Sequence, residues 1–245
     1  MNQTFRSLAL IYDRYDGVII KDFPKDLEEF EEELTYLINH LEDKKLLWIK
    51  LQIEDSAFIP LLTKYDFVFH HCNERDITLL KRLVSDPVIP TATNHTLGVG
   101  AIVFDGDKIL VIKDRFYEKY KLPGGHIDDS ENISTALIRE VYEETGINVE
   151  FDSIVSLGHF TPGQFNESNL YVVCRAKPLS YEIDIQDTHE IMEAKWMKID
   201  EFISGDNTHS YNKSIVKAAL DSNGFKIDDS RDLITRNDVE YELFK

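Results

Sequence analysis

The stretch from Gly125 to Ile147, GHIDDSENISTALIREVYEETGI, constrains this chain more than any other. From Glu131 to Thr145 it contains neither Pro nor Gly, and Gly146 then supplies the left-handed position on which helices commonly end. The spacing predicts a helix of about four turns. At about 100° per residue, Glu140, Glu143 and Glu144 share one face, while Leu137, Ile138 and Val141 lie on the adjoining one. The apolar face belongs to a core. The acidic face sets like charges at i,i+3 and i,i+4, where each pair disfavours the helix by roughly 0.2–0.5 kcal/mol. Something positive should sit there.

Carboxylate oxygens bind hard divalent cations, and Mg²⁺ takes one or two protein carboxylates together with phosphate oxygens and water. A helix with this face is built to hold a metal-diphosphate. Arg139 cannot bind a metal, and its planar fork suits a bidentate hydrogen bond that orients a glutamate. The preceding Leu122-Pro123-Gly124-Gly125 allows a tight turn close to a ligand, so Gly124 and Gly125 are candidate substrate-binding positions. An isolated acidic run is most often a solvated helix face. Gly125, Glu131, Arg139 and Gly146 at fixed offsets around this one weigh against that reading.

The chain of 245 residues has room for one large or two modest domains, and 42% apolar residues support a proper core. Its net charge of −18 disfavours a groove that tracks nucleic-acid phosphates and means that small anionic substrates need a metal to approach. No apolar run reaches the length of a signal peptide core or a membrane span. The expectation is a soluble cytoplasmic protein with no nucleic-acid or membrane partner. Cys72 and Cys174 show no metal-ligand spacing and read as two ordinary reduced thiols.

Before the acidic helix, Ser7–Tyr12 and Val18–Ile20 read as a β-hairpin, and residues 26–41 as an amphipathic helix. Leu46–Ile53 and Phe67–Cys72 read as strands, Ser56–Lys64 as a short helix despite Pro60, and Ile77–Val84 as a helix. His70, His71 and Cys72 suggest a metal site, but strand alternation lets only His70 and Cys72 converge, with no further ligand nearby. The Pro-containing segment Ser85–Asn94 reads as a linker. The resulting division is an α/β domain over 1–88, a linker over 89–94, a second domain over 95–222 and a C-terminal hairpin or tail over 223–245. In the second domain Gly98–Phe104 and Lys108–Ile112 form a hairpin about Asp105-Gly106-Asp107. Strands are expected at Ile154–Thr161, Leu170–Ala176 and Glu193–Met197, and helices at Asp200–Ile203 and Lys213–Leu220. Strands on both sides of a helix, with another helix behind, suggest an α/β/α sandwich with a mixed sheet.

The offsets of Gly125, Glu131, Arg139, Glu140, Val141, Glu143, Glu144, Gly146 and Ile147 resemble the complete Nudix box. The strand FVFHHC, the linker leading into Gly98-Val99-Gly100-Ala101, the LPGG turn, residues 165–171 and Glu190–Met197 are similar to one subgroup of Nudix hydrolases. Its members carry an acetyltransferase-like pre-Nudix domain, and plant ADP-ribose/NADH pyrophosphatases belong to it. Two positions depart from the pattern: Ser130 stands where a glycine often precedes the first box glutamate, and Asn169 where the subgroup usually has aspartate.

The resemblance implies hydrolysis of a nucleoside diphosphate linked to another moiety, ADP-ribose or NADH above all, with Mg²⁺ or Mn²⁺, by a homodimer. Glu140 and Glu144 are then metal ligands, and Glu143 is a third ligand or the base. Some relatives take the base from a later loop, which makes Glu190 and Glu193 candidates, although exposed carboxylates are usually plain solvated residues. Phe116, Tyr117, Phe160, Phe165 and Tyr171 are candidates for stacking on a base. A non-catalytic nucleotide-binding regulator on the same fold is the alternative, but it has no need of every carboxylate. An active acetyltransferase needs a glycine-rich pyrophosphate turn, and residues 1–90 contain only Gly17.

Overall fold

The computed structural model describes residues 2–162, 167–228 and 241–245. The chain divides into two compact units, Met1–Thr93 and Asn94–Lys245.

In the first unit β1 (Asn2–Phe5), β2 (Leu8–Tyr12) and β3 (Gly17–Asp22) form an antiparallel meander. Asp26 caps α1 (Leu27–Asn39) by accepting the N–H groups of Glu28 and Glu29. The helix buries Phe30, Leu34 and Leu37 and carries the chain to β4 (Leu46–Gln52), which pairs parallel with β3. A 3-10 stretch, Ile53–Phe58, runs into α2 (Ile59–Lys64), where Pro60 sits in the first turn and sacrifices no helical hydrogen bond. β5 (Val68–Cys72) and β6 (Asp76–Arg82) complete a sheet of order β1-β2-β3-β4-β6-β5.

Two expectations fail in this unit. Ile77–Val84 is not helical: Ile77–Arg82 belong to β6, between β4 and β5. Leu79 joins the helix-side core and Leu80 the opposite face with Trp48, so the strand is buried on both sides and shows no period of two. Strict alternation also fails in β5, where a register shift between Phe69 and His71 brings the two imidazoles together. Nδ1 of His70 lies 2.7 Å from Nδ1 of His71.

In the second unit β7 (His95–Asp105) and β8 (Lys108–Asp114) form the expected hairpin. α3 (Ile133–Thr145) is followed by β9 (Val149–Phe160), β10 (Ser168–Pro178) and β11 (Ile191–Lys198), then α4 (Ile199–Ser204) and α5 (Ser210–Asp221). The mixed sheet has the order β11-β8-β7-β10-β9, with β7 and β10 parallel. Alternate residues separate its faces. Val99, Ala101, Val103 and Leu110 pack with Leu137 and Val141 of α3, whereas Ile102, Ile109 and Val111 pack with Phe202, Ile215 and Val216 of α4 and α5. This is an α/β/α sandwich. At the C-terminus Lys226 and Lys245 exchange backbone hydrogen bonds, and the Phe244 ring lies 5.6 Å from that of Phe151.

Candidate active site

α3 begins at Ile133, two residues later than the box pattern suggests, and ends at Gly146 with φ +73°. Ala136, Leu137 and Val141 are buried, which turns Arg139, Glu140, Glu143 and Glu144 toward the turn before the helix. That turn is fastened to the rim of β7: Ala101 N–H donates to the Pro123 carbonyl at 2.8 Å, and Val99 N–H to the Gly125 carbonyl at 2.9 Å. Gly124 has φ +144°, and a Cβ there would collide with the Val99 carbonyl, so only glycine is accommodated without strain. A Cβ on Gly125 would stand 2.6 Å from Oε2 of Glu140. Gly124 thus lets the turn approach the β7 backbone, and Gly125 makes room for Glu140.

The carboxylates are organised by two sets of donors. Arg139 grips Glu131 in bidentate fashion, Nε to Oε1 at 2.9 Å and Nη2 to Oε2 at 2.8 Å. Its Nη1 also reaches Oε1 of Glu140 at 3.0 Å and Oε2 of Glu143 at 3.1 Å. Glu144 is 4% exposed, and its Oε2 accepts the Gly124 N–H at 2.6 Å. Burial pushes the Glu144 carboxyl up to about 8, against the opposing pull of Gly124 and Lys121. Burial also raises Glu140, with Arg139 pulling the other way. Glu131 is held below the usual range, chiefly by its hydrogen bonds with Arg139. The electrostatic cost is concentrated on the half-buried Glu140 and the buried Glu144.

Beside them runs a groove of two continuous lobes, of about 520 and 220 Å³, sharing Lys121, Phe160, Tyr211 and Asn212. Tyr117 lines the larger lobe and Tyr171 the smaller. The Tyr171 ring lies over Gly98 and Gly100, where any Cβ would strike it. Burial raises its hydroxyl pKa, and the charges of Glu144 and Glu140 act in the same direction. Phe160 and Tyr211 meet edge to face with centroids 5.3 Å apart. Tyr211 and Asn212, on α5, escaped the sequence reading because aromatic and amide residues in an amphipathic helix carry no spacing signal.

Other candidates fall on both sides of the divide. Glu190 lies in the loop before β11, exposed, with its charge felt by both Glu140 and Glu144. Glu193 is instead engaged by the Tyr120 hydroxyl at 2.9 Å and by Lys195 at 3.5 Å. Phe116 is 76% exposed, and Phe165 lies outside the described residues. Asn169 donates to Oγ1 of Thr96 at 2.8 Å. Ser130 has φ +65°, which explains why glycine suits that position.

The donor set fits a hard divalent cation. Among the described residues no three His, Cys, Asp or Glu side chains converge on one point. Mg²⁺ needs only one or two protein carboxylates when phosphate and water supply the remaining oxygens. Glu140 and Glu144 are two oxygen donors whose burial raises the cost of their negative charge, a cost that a cation offsets. Among the described residues no helix is long and apolar enough to cross a membrane.

Comparison with known proteins agrees with this architecture. A family model described as NUDIX domain matches residues 94–218, and one described as Nudix hydrolase domain matches residues 8–83. Nudix hydrolase 2 of Arabidopsis thaliana is 34% identical over 215 residues, covering 83% of this chain and 77% of its own length. Nudix hydrolase 8 of the same plant is 33% identical, covering 81% of this chain. The human protein Nucleoside diphosphate-linked moiety X motif 6 is 34% identical, covering 73%. The chain spans 57% and 58% of the lengths of these last two relatives. The two matching models and this identity across both units place the chain in the Nudix hydrolase family.

Proposed function

We propose that this protein is a metal-dependent pyrophosphohydrolase that cleaves a nucleoside diphosphate linked to another moiety, with ADP-ribose or NADH as the preferred type. The observation that carries this reading is the pair Glu140, half-buried, and Glu144, buried, whose charges act on Tyr171 in the wall of an aromatic groove that Lys121 also lines. Glu140 and Glu144 would hold Mg²⁺ or Mn²⁺. When bound, the ion supplies positive charge for the phosphoryl oxygens on which negative charge builds up.

The chain's own residues do the rest. The Gly124 N–H and Arg139 keep the carboxylates of Glu144 and Glu140 in fixed orientations, so little reorganisation accompanies the reaction. Glu143, with its side chain 47% exposed, and Glu190 are the carboxylates available to accept a proton from the attacking water. Water adds to one phosphorus, the bridging P–O bond breaks, and two phosphate monoesters leave. Phe160, Tyr171 and Tyr211 offer π-faces and apolar edges to a nucleobase. The test is incubation with Mg²⁺ and a panel of ADP-ribose, NADH and related dinucleotides, with nucleoside monophosphate as the readout. Absence of release from every member by folded protein would overturn the proposal.

A further inference from the structure

Lys121 is a cation beside a buried acidic corner, and it is anchored twice. Its backbone exchanges N–H to carbonyl hydrogen bonds with Ile112, each 2.9 Å long. Its Nζ lies 2.7 Å from Oδ2 of Asp114, whose side chain is 2% exposed. The other oxygen of Asp114 accepts the N–H of Phe116 at 2.9 Å and of Tyr117 at 2.7 Å. Burial pushes the Asp114 carboxyl up, but Lys121 and these two N–H groups outweigh it and hold it below the usual range. Asp114 therefore remains a fixed anion that points an ammonium.

The place to which it points matters. Lys121 lines both lobes of the aromatic groove, and its charge reaches Glu144. A ligand reaching from the carboxylates into the groove passes this ammonium. An ammonium has three donors, and the ion pair with Asp114 is satisfied by one.

We propose that Lys121 is a phosphate-binding residue and Asp114 its positioning residue. On the pyrophosphohydrolase reading, on which this assignment rests, Nζ donates to a non-bridging oxygen of the phosphate on the groove side of the scissile bond. That phosphate stays with the nucleoside half, so a nucleoside 5′-monophosphate binds the same residue as product.

The experiment compares AMP with adenosine, titrated calorimetrically in EDTA against wild-type protein and the variants Lys121→Met, Lys121→Arg and Asp114→Asn, with folding checked by circular dichroism. Lys121→Met is expected to weaken AMP about 10- to 100-fold while leaving adenosine within about twofold. Lys121→Arg should restore most of the affinity, and Asp114→Asn should give an intermediate loss. In turnover, Lys121→Met should raise KM more than it lowers kcat. Equal AMP affinity in wild type and Lys121→Met, equal losses for AMP and adenosine, or no AMP binding by the wild type would each overturn the assignment. Lys121-dependent AMP binding without hydrolysis of any dinucleotide would retain it and remove the enzymatic reading. Hydrolysis with unchanged AMP affinity in Lys121→Met would do the reverse.

Discussion

The backbone N–H of Gly124 donates to Oε2 of Glu144 at 2.6 Å, joining a turn and a helix whose residues are twenty positions apart. This contact holds a nearly buried carboxylate whose charged form is disfavoured. The folded pKa of about 8 lies above the ordinary value of 4.5, so the folded protein retains a proton that the unfolded chain releases. Stability without metal should therefore decline as pH rises from about 4.5 to about 8 and level off above, by a few kcal/mol in total. Melting curves in EDTA should show this slope for the wild type and a flatter one for Glu144→Gln. Mg²⁺ or Mn²⁺ should raise the wild-type melting temperature most at the alkaline end, and Glu144→Gln should lower turnover by about 10²–10³-fold. Parallel slopes in the two proteins would exclude Glu144 as their source.

The two glycines of the turn should respond differently to alanine. At Gly124 the obstacle is backbone and φ is +144°, so Gly124→Ala should cost about 2–4 kcal/mol in denaturant unfolding. At Gly125 the obstacle is the tip of the flexible Glu140 side chain. Gly125→Ala should thus cost under about 1 kcal/mol while reducing kcat at least about tenfold, because the displaced carboxylate loses its alignment. Similar stability losses in both variants would count against this distinction.

Arg139 makes a planar, two-pronged contact with Glu131 and further contacts with Glu140 and Glu143. An ammonium cannot reproduce that fork. Arg139→Lys should lose about 1–3 kcal/mol of stability and should lower activity by about 10- to 100-fold. Retention of full activity would mean that the orientation Arg139 gives to Glu131, Glu140 and Glu143 does not matter for turnover.

Ser130 is exposed and holds φ +65°, a conformation that carries a steric cost for any residue with a Cβ. Ser130→Gly should increase unfolding free energy by about 0.5–1 kcal/mol without altering kcat. A lower midpoint in urea would contradict the assigned backbone conformation.

Tyr211 forms a wall of both groove lobes and meets Phe160 edge to face. Tyr211→Ala should raise KM for a dinucleotide about tenfold or more with little change in kcat, as loss of uniform binding does. An unchanged KM would move the base-binding surface elsewhere.

Much of this was legible in the chain. α3 announced itself by an uninterrupted helical run, an acidic face beside an apolar one and a terminal Gly146, all local properties of consecutive residues. The β7–β8 hairpin was legible for the same reason. β6 was not, because a strand buried on both faces looks in one dimension like any apolar run. The pairing of His70 with His71 depended on a bulge, and a one-residue irregularity in register leaves no mark on composition.

The same boundary runs through the candidate site. Which side chains share the acidic face of α3 follows from local order alone, since helical geometry places residues three and four apart together whatever surrounds them. It took the packing of distant elements to enclose Glu144 while leaving Glu143 half exposed, to bring the charge of Glu190 to bear on Glu144, to engage Glu193 with Tyr120 and Lys195, and to set Tyr211 in the groove wall. Burial, charge proximity and cavity walls are properties of elements brought together across long stretches of chain, and no local pattern encodes them.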